Sequence, residues 1–72
     1  MKHFLISIQY VNDGTNPCGI FAYESREAAL SAFYSTVASN YANPNLNGFL
    51  CMVIDEYGMT IRKENWTKQE EE

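Results

Sequence analysis

Positive charge is scarce in this chain and nowhere concentrated. Five Lys and Arg residues are spread over 72 positions, and only Arg62 and Lys63 are neighbours. Binding along a nucleic-acid backbone needs clustered cations, so that class is excluded. Acidic residues number nine but are not clustered in the body of the chain: the net charge is −4, and Glu70, Glu71 and Glu72 supply three of those charges, leaving about −1 for the remainder. A mimic of DNA needs a dense negative surface, which is missing. Histidine occurs once, as His3, and cysteine twice, as Cys18 and Cys51, with no spacing that matches a metal site. No apolar run approaches the ~20 residues that span a bilayer. The start, Met1 to Tyr10, is broken by Ser7 and Gln9 and is followed by no small-residue cleavage site, so it reads as a strand and not a signal peptide. The expectation is a cytoplasmic protein with both thiols free, no membrane contact and no cofactor.

What is present is a folded composition: 46 % of residues are hydrophobic and five are tyrosine. The most telling stretch is Phe49-Leu50-Cys51-Met52-Val53-Ile54, apolar on both alternating faces and bounded by Gly48 and Asp55. A run this short reads as a buried strand. A chain with room for one helix covers one sheet face, so the other face needs cover from elsewhere.

Phe4, Ile6, Ile8 and Tyr10 alternate with His3, Leu5, Ser7, Gln9 and Val11, giving a first strand. The turn-rich segment 12–17 leads to a short second strand, Gly19 to Tyr23. Ser25 is a suitable N-cap with Glu27 in the first turn, and a helix from Arg26 to Tyr41 follows. Its apolar stripe is Leu30, Phe33, Val37 and Tyr41, with Ser31, Ser35 and Ser39 opposite. Asn40 to Gly48 reads as a polar connection, since Pro44 stops the helix. Asp55-Glu56-Tyr57-Gly58 fits a type I turn with a left-handed glycine. The predicted register pairs Val53 with Ile61, Cys51 with Lys63 and Met52 with Arg62.

The predicted fold class is α+β: a ββαββ chain forming a four-stranded, mostly antiparallel sheet with one helix on one face. One domain covers residues 1–67, with an acidic tail over 68–72. A ferredoxin-like βαββ arrangement competes if the second strand is too short to pair. The helix is expected over Ile6, Ile8, Val53 and Ile61.

No catalytic constellation emerges. Asp55 and Glu56 point apart in a turn, and His3 lacks the polar companions of a triad and reads as a sheet-edge residue. The loop Asp13 to Gly19 lacks the ending of a phosphate-binding loop. The surviving candidate is a binding face of Leu5, Leu50, Met52 and Ile54 with Arg62 and Trp66 nearby, a composition typical of interface centres. The expected function is a non-enzymatic interaction module, a homodimer or a subunit bound to another protein. The alternative is a ligand-binding or catalytic domain whose site forms between subunits, lined by His3, Cys18 or Tyr23.

The segments Ala28-Ala29-Leu30-Ser31-Ala32-Phe33-Tyr34, Tyr41-Ala42-Asn43-Pro44-Asn45 and Val53-Ile54-Asp55-Glu56-Tyr57-Gly58 resemble small proteins of phage and other mobile elements of Gram-positive bacteria. The resemblance implies a bacterial cytoplasmic setting. It supplies no active residues.

Overall fold

The computed structural model describes residues 2–68. Of the acidic tail, residues 69–72 lie outside the described residues, and the Lys68 N–H donates to the Asn47 carbonyl at 2.7 Å. Five elements follow one another: β1 His3–Val11, β2 Cys18–Tyr23, α1 Arg26–Ala42, β3 Leu46–Asp55 and β4 Thr60–Thr67. The strands form one sheet in the order β2-β1-β3-β4, every pairing antiparallel, and α1 lies across one face. This is the expected ββαββ α+β fold. The ferredoxin-like competitor fails because β2 pairs with β1 from His3↔Tyr23 to Ile8↔Cys18.

Local chemistry accounts for the element ends. The Ser25 hydroxyl accepts from the Ala28 N–H at 3.1 Å, satisfying one of the otherwise unpaired donors of the first helical turn. The helix runs through Asn40 and ends at Ala42, and β3 begins at Leu46, so the polar connection is far shorter than expected. At the last turn, Asp55 Oδ1 accepts from the N–H groups of Tyr57 and Met59, and its carbonyl accepts from Gly58, whose φ is +86°.

The core holds Leu5, Ala29, Phe33, Leu46, Phe49, Cys51 and Val53. Of its β3 members, Phe49, Cys51 and Val53 are on the face expected beneath the helix, while Leu46 comes from the stretch expected to be a polar connection. Its β1 member, Leu5, is one expected on the outer face. Because directly paired residues share a face, Leu5 with Val53 and Ser7 with Cys51 put His3, Leu5, Ser7, Gln9 and Val11 under α1. Phe4, Ile6 and Ile8 are on the opposite face, so the helix does not rest on Ile6 and Ile8. His3 belongs to a central strand and is buried, not at a sheet edge.

The other revision is at β4. The register shifts between Val53 and Ile54: Ile54 faces Thr60, but Val53 faces Arg62, leaving Ile61 as the extra residue of a bulge. Ile61 packs against the core from that bulge. Beyond it every predicted partner moves by one, so Met52 faces Lys63, Cys51 faces Glu64 and Leu50 faces Asn65.

Candidate functional site

Composition along the strands decides what the uncovered sheet face presents. The paired registers arrange it in three rows across the sheet: Ala22-Phe4-Ile54-Thr60, Ile20-Ile6-Met52-Lys63 and Cys18-Ile8-Leu50-Asn65. Seven large apolar side chains are contiguous there: Phe4, Ile6, Ile8, Ile20, Leu50, Met52 and Ile54. Lys63 is the single charge in these rows, at the β4 margin. The central members are half-buried, and Ile20, at the other margin, is 70 % exposed. Among the described residues nothing covers this face, since α1 packs on the opposite one.

Of the six residues expected in a binding face, Leu50, Met52 and Ile54 lie here. Leu5 does not: it is 1 % exposed in the core beneath α1. Arg62 and Trp66 are also on the helix side, for the bulge at Ile61 turns them over. Arg62 Nε donates to the Tyr34 hydroxyl at 3.3 Å, and the Trp66 ring stands 6.2 Å from that of Tyr41 and 6.4 Å from that of Phe49. Sequence reasoning missed Phe4, Ile6, Ile8 and Ile20 as members of the open face.

A polar chain explains why β1 turns its more polar side to the helix. Gln9 Nε2 donates to Asn40 Oδ1 at 2.7 Å, and Asn40 Nδ2 donates to Cys51 Sγ at 3.6 Å. The Cys51 thiol in turn donates to the Ser7 hydroxyl at 3.9 Å. Asn40 is 3 % exposed, and every buried side-chain polar atom of the described residues has a partner. Burial pushes the Cys51 thiol above its ordinary pKa, against the opposing pull of its bonds with Ser7 and Asn40. The thiol is therefore protonated and inert at neutral pH.

On the helix side, α1 covers β1 and β3 more than β2, leaving an open groove of about 300 Å³ along β2. Ser7, Gln9 and Thr36 give it polar atoms, and Pro17, Gly19 and Phe21 give it apolar walls. Cys18 also borders it, whereas His3 and Tyr23 do not. No group of three or more His, Cys, Asp or Glu side chains among the described residues is placed to hold a metal ion. No described helix is long and apolar enough to cross a membrane. Comparison with protein-family models, curated proteins and solved structures finds no match.

Proposed function

We propose that this chain is a small, non-enzymatic interaction module of the bacterial cytoplasm that buries the outer face of its sheet against a second copy of itself. One observation carries the reading: a contiguous apolar sheet face that no other element among the described residues covers. Strands ~4.8 Å apart and three rows of side chains give it on the order of 400 Å² in plan. That is within the range of the largest apolar patch on a typical monomer, a patch that is often functional. It is about half of the ~800 Å² that each partner contributes to a stable interface, so the polar margins of the face share the contact. Its near neutrality favours a like surface, because nothing on it selects an oppositely charged partner. The resemblance to small mobile-element proteins is consistent with the proposed setting.

Met52 sits in the middle row, away from the core, and is the position to test. Met52→Lys puts an unpaired charge in the apolar seam. Sedimentation equilibrium should show concentration-dependent association of the parent that is weakened in the variant, with circular dichroism confirming that the variant is folded. A parent that is monomeric at every concentration, or a variant that associates like the parent, overturns the reading.

The groove beside β2 supports a second reading, a ligand site completed between subunits. It is open on the β2 side and carries three polar side chains, so a neighbouring chain would be needed to enclose a ligand. A small-molecule library that raises the melting temperature of the parent but not of Thr36→Phe, which fills the groove, would favour it.

A further inference from the structure

The two edges of the sheet are built differently. β4 carries Arg62, Lys63 and Glu64 in its middle and a bulge at Ile61, two devices that discourage another strand from adding on. β2, Cys-Gly-Ile-Phe-Ala-Tyr, has no charge, no proline and no bulge. Its side chains are exposed in both directions, Ile20 at 70 % on the outer face and Phe21 at 51 % on the groove side. We infer that β2 pairs with β2 of a second copy, antiparallel about a two-fold axis, so that two four-stranded sheets become one.

The backbone pattern specifies the register. The Gln9 N–H donates to the Pro17 carbonyl and the Val11 N–H to the Thr15 carbonyl, each at 2.9 Å, so the odd-numbered residues of this hairpin form its hydrogen-bonded pairs. Antiparallel ladders alternate, and the N–H and C=O groups of Cys18, Ile20 and Ala22 therefore point away from β1, at the open edge. Setting Ile20 against Ile20 of the partner subunit engages all three residues of each strand in about six backbone hydrogen bonds. Cys18 then faces Ala22 of the partner subunit, and Ala22 faces Cys18 of the partner subunit.

The same register suits the side chains. Phe21 comes opposite Gly19 of the partner subunit. The Phe21 ring already leans along its own strand, where a Cβ on Gly19 would meet it at 3.0 Å. Each ring thus meets a position with no side chain to collide with. Ile20 packs on its own copy, and no like charges come together. A charged peptide would find no complementary group on this strand, which favours a second copy as the occupant. This contact is separate from the outer face and does not depend on it; it would place two such faces side by side.

The test uses the native Cys18 as a probe. In the full chain carrying Met52→Lys, which weakens the outer-face contact, Ala22→Cys brings two thiols within disulfide range across the proposed axis. Two sheets packed face to face are ~10 Å apart, beyond the ~7 Å limit between Cα atoms, and residues 18 and 22 of one strand are ~13 Å apart. Mild oxidation should give a covalent dimer of this variant on a non-reducing gel, with little from the chain that lacks Ala22→Cys. Adding Ile20→Pro should abolish it, because that N–H points outward and no bond within the fold is lost. Adding Ile20→Lys should reduce it, and mixing that chain with one bearing Ile20→Glu should restore it, as a position that pairs with itself requires. No dimer above the background of the chain lacking Ala22→Cys, or a dimer indifferent to every change at Ile20, overturns the proposal. So does a chain kept monomeric while an extended peptide of unrelated sequence protects the β2 amides.

Discussion

Gln9 donates its side-chain amide to Asn40 at 2.7 Å across the seam between β1 and α1. This bond, with Asn40 to Cys51 and Cys51 to Ser7, makes the polar side of β1 the inner side. The consequence is that Phe4, Ile6 and Ile8 face outward. A partly satisfied buried network costs more than an apolar replacement. Asn40→Ala should therefore cost about 1–3 kcal/mol, because it leaves the Gln9 amide without its acceptor and takes from Cys51 Sγ the Asn40 donor, with only the Ser7 bond remaining there. Joint replacement, Gln9→Leu with Asn40→Leu, should recover part of that loss. Urea denaturation of the three proteins measures it, and a joint variant less stable than Asn40→Ala would mean that the network is not what orients β1.

Gly58 has a φ of +86° with no atom within 4 Å of a Cβ built on it, so backbone strain is the whole obstacle to substitution. Gly58→Val should cost roughly 1–2 kcal/mol, since a β-branched residue resists the left-handed region. Gly58→Asn should cost less, as asparagine tolerates that region. Equal denaturation midpoints for the two variants would contradict this ordering.

Alkaline stability follows from Cys51. Burial raises the thiol above its ordinary value of 9.0, so the fold holds the proton more tightly than the unfolded chain does. The contribution is therefore complete below about pH 9 and is lost as pH rises from the unfolded value through the folded one. Tyr41 acts in the same direction at higher pH, its hydroxyl raised by desolvation and by the Glu64 carboxylate. The urea midpoint should hold to about pH 8 and then fall. In Cys51→Val the fall should begin later, in the tyrosine range, whatever that variant's stability at neutral pH. Parallel profiles would show that the thiol is not the titrating group.

The four strands, the helix cap and the Asp55–Gly58 turn were legible because each is written in local chemistry. The open face was half legible. β3 could be sorted because the turn fixed its first pair with β4, at Ile54 and Thr60. The bulge at Ile61 has no glycine or proline to announce it, so Arg62 and Trp66 were assigned to the wrong side. In β1 the more apolar residues were assumed to face the helix, but burial here follows hydrogen-bond partners. The signal lay in α1, where Ala29, Phe33, Thr36 and Asn40 also recur at three- and four-residue intervals, as do Leu30, Phe33, Val37 and Tyr41. Two polar residues in that stripe match Ser7 and Gln9, whereas Tyr41 is half exposed.

The inverted orientation of β1 can be tested directly, because Leu5 and Ile6 are neighbours of similar size with opposite surroundings. Leu5 is 1 % exposed and paired with Val53 under the helix, so Leu5→Ala leaves a cavity that the core cannot fill. The expected cost is about 2–5 kcal/mol, much of the stability of so small a domain. Ile6 is half-buried, between Ile20 and Met52 on the uncovered face, and Ile6→Ala should cost the isolated chain roughly 1 kcal/mol from the area lost there. Urea curves at a protein concentration low enough for sedimentation to show a monomer compare the two without interference from a partner. If Ile6→Ala proves the more damaging, the helix rests on Ile6 after all, and the apolar face that carries the interaction reading would be the core.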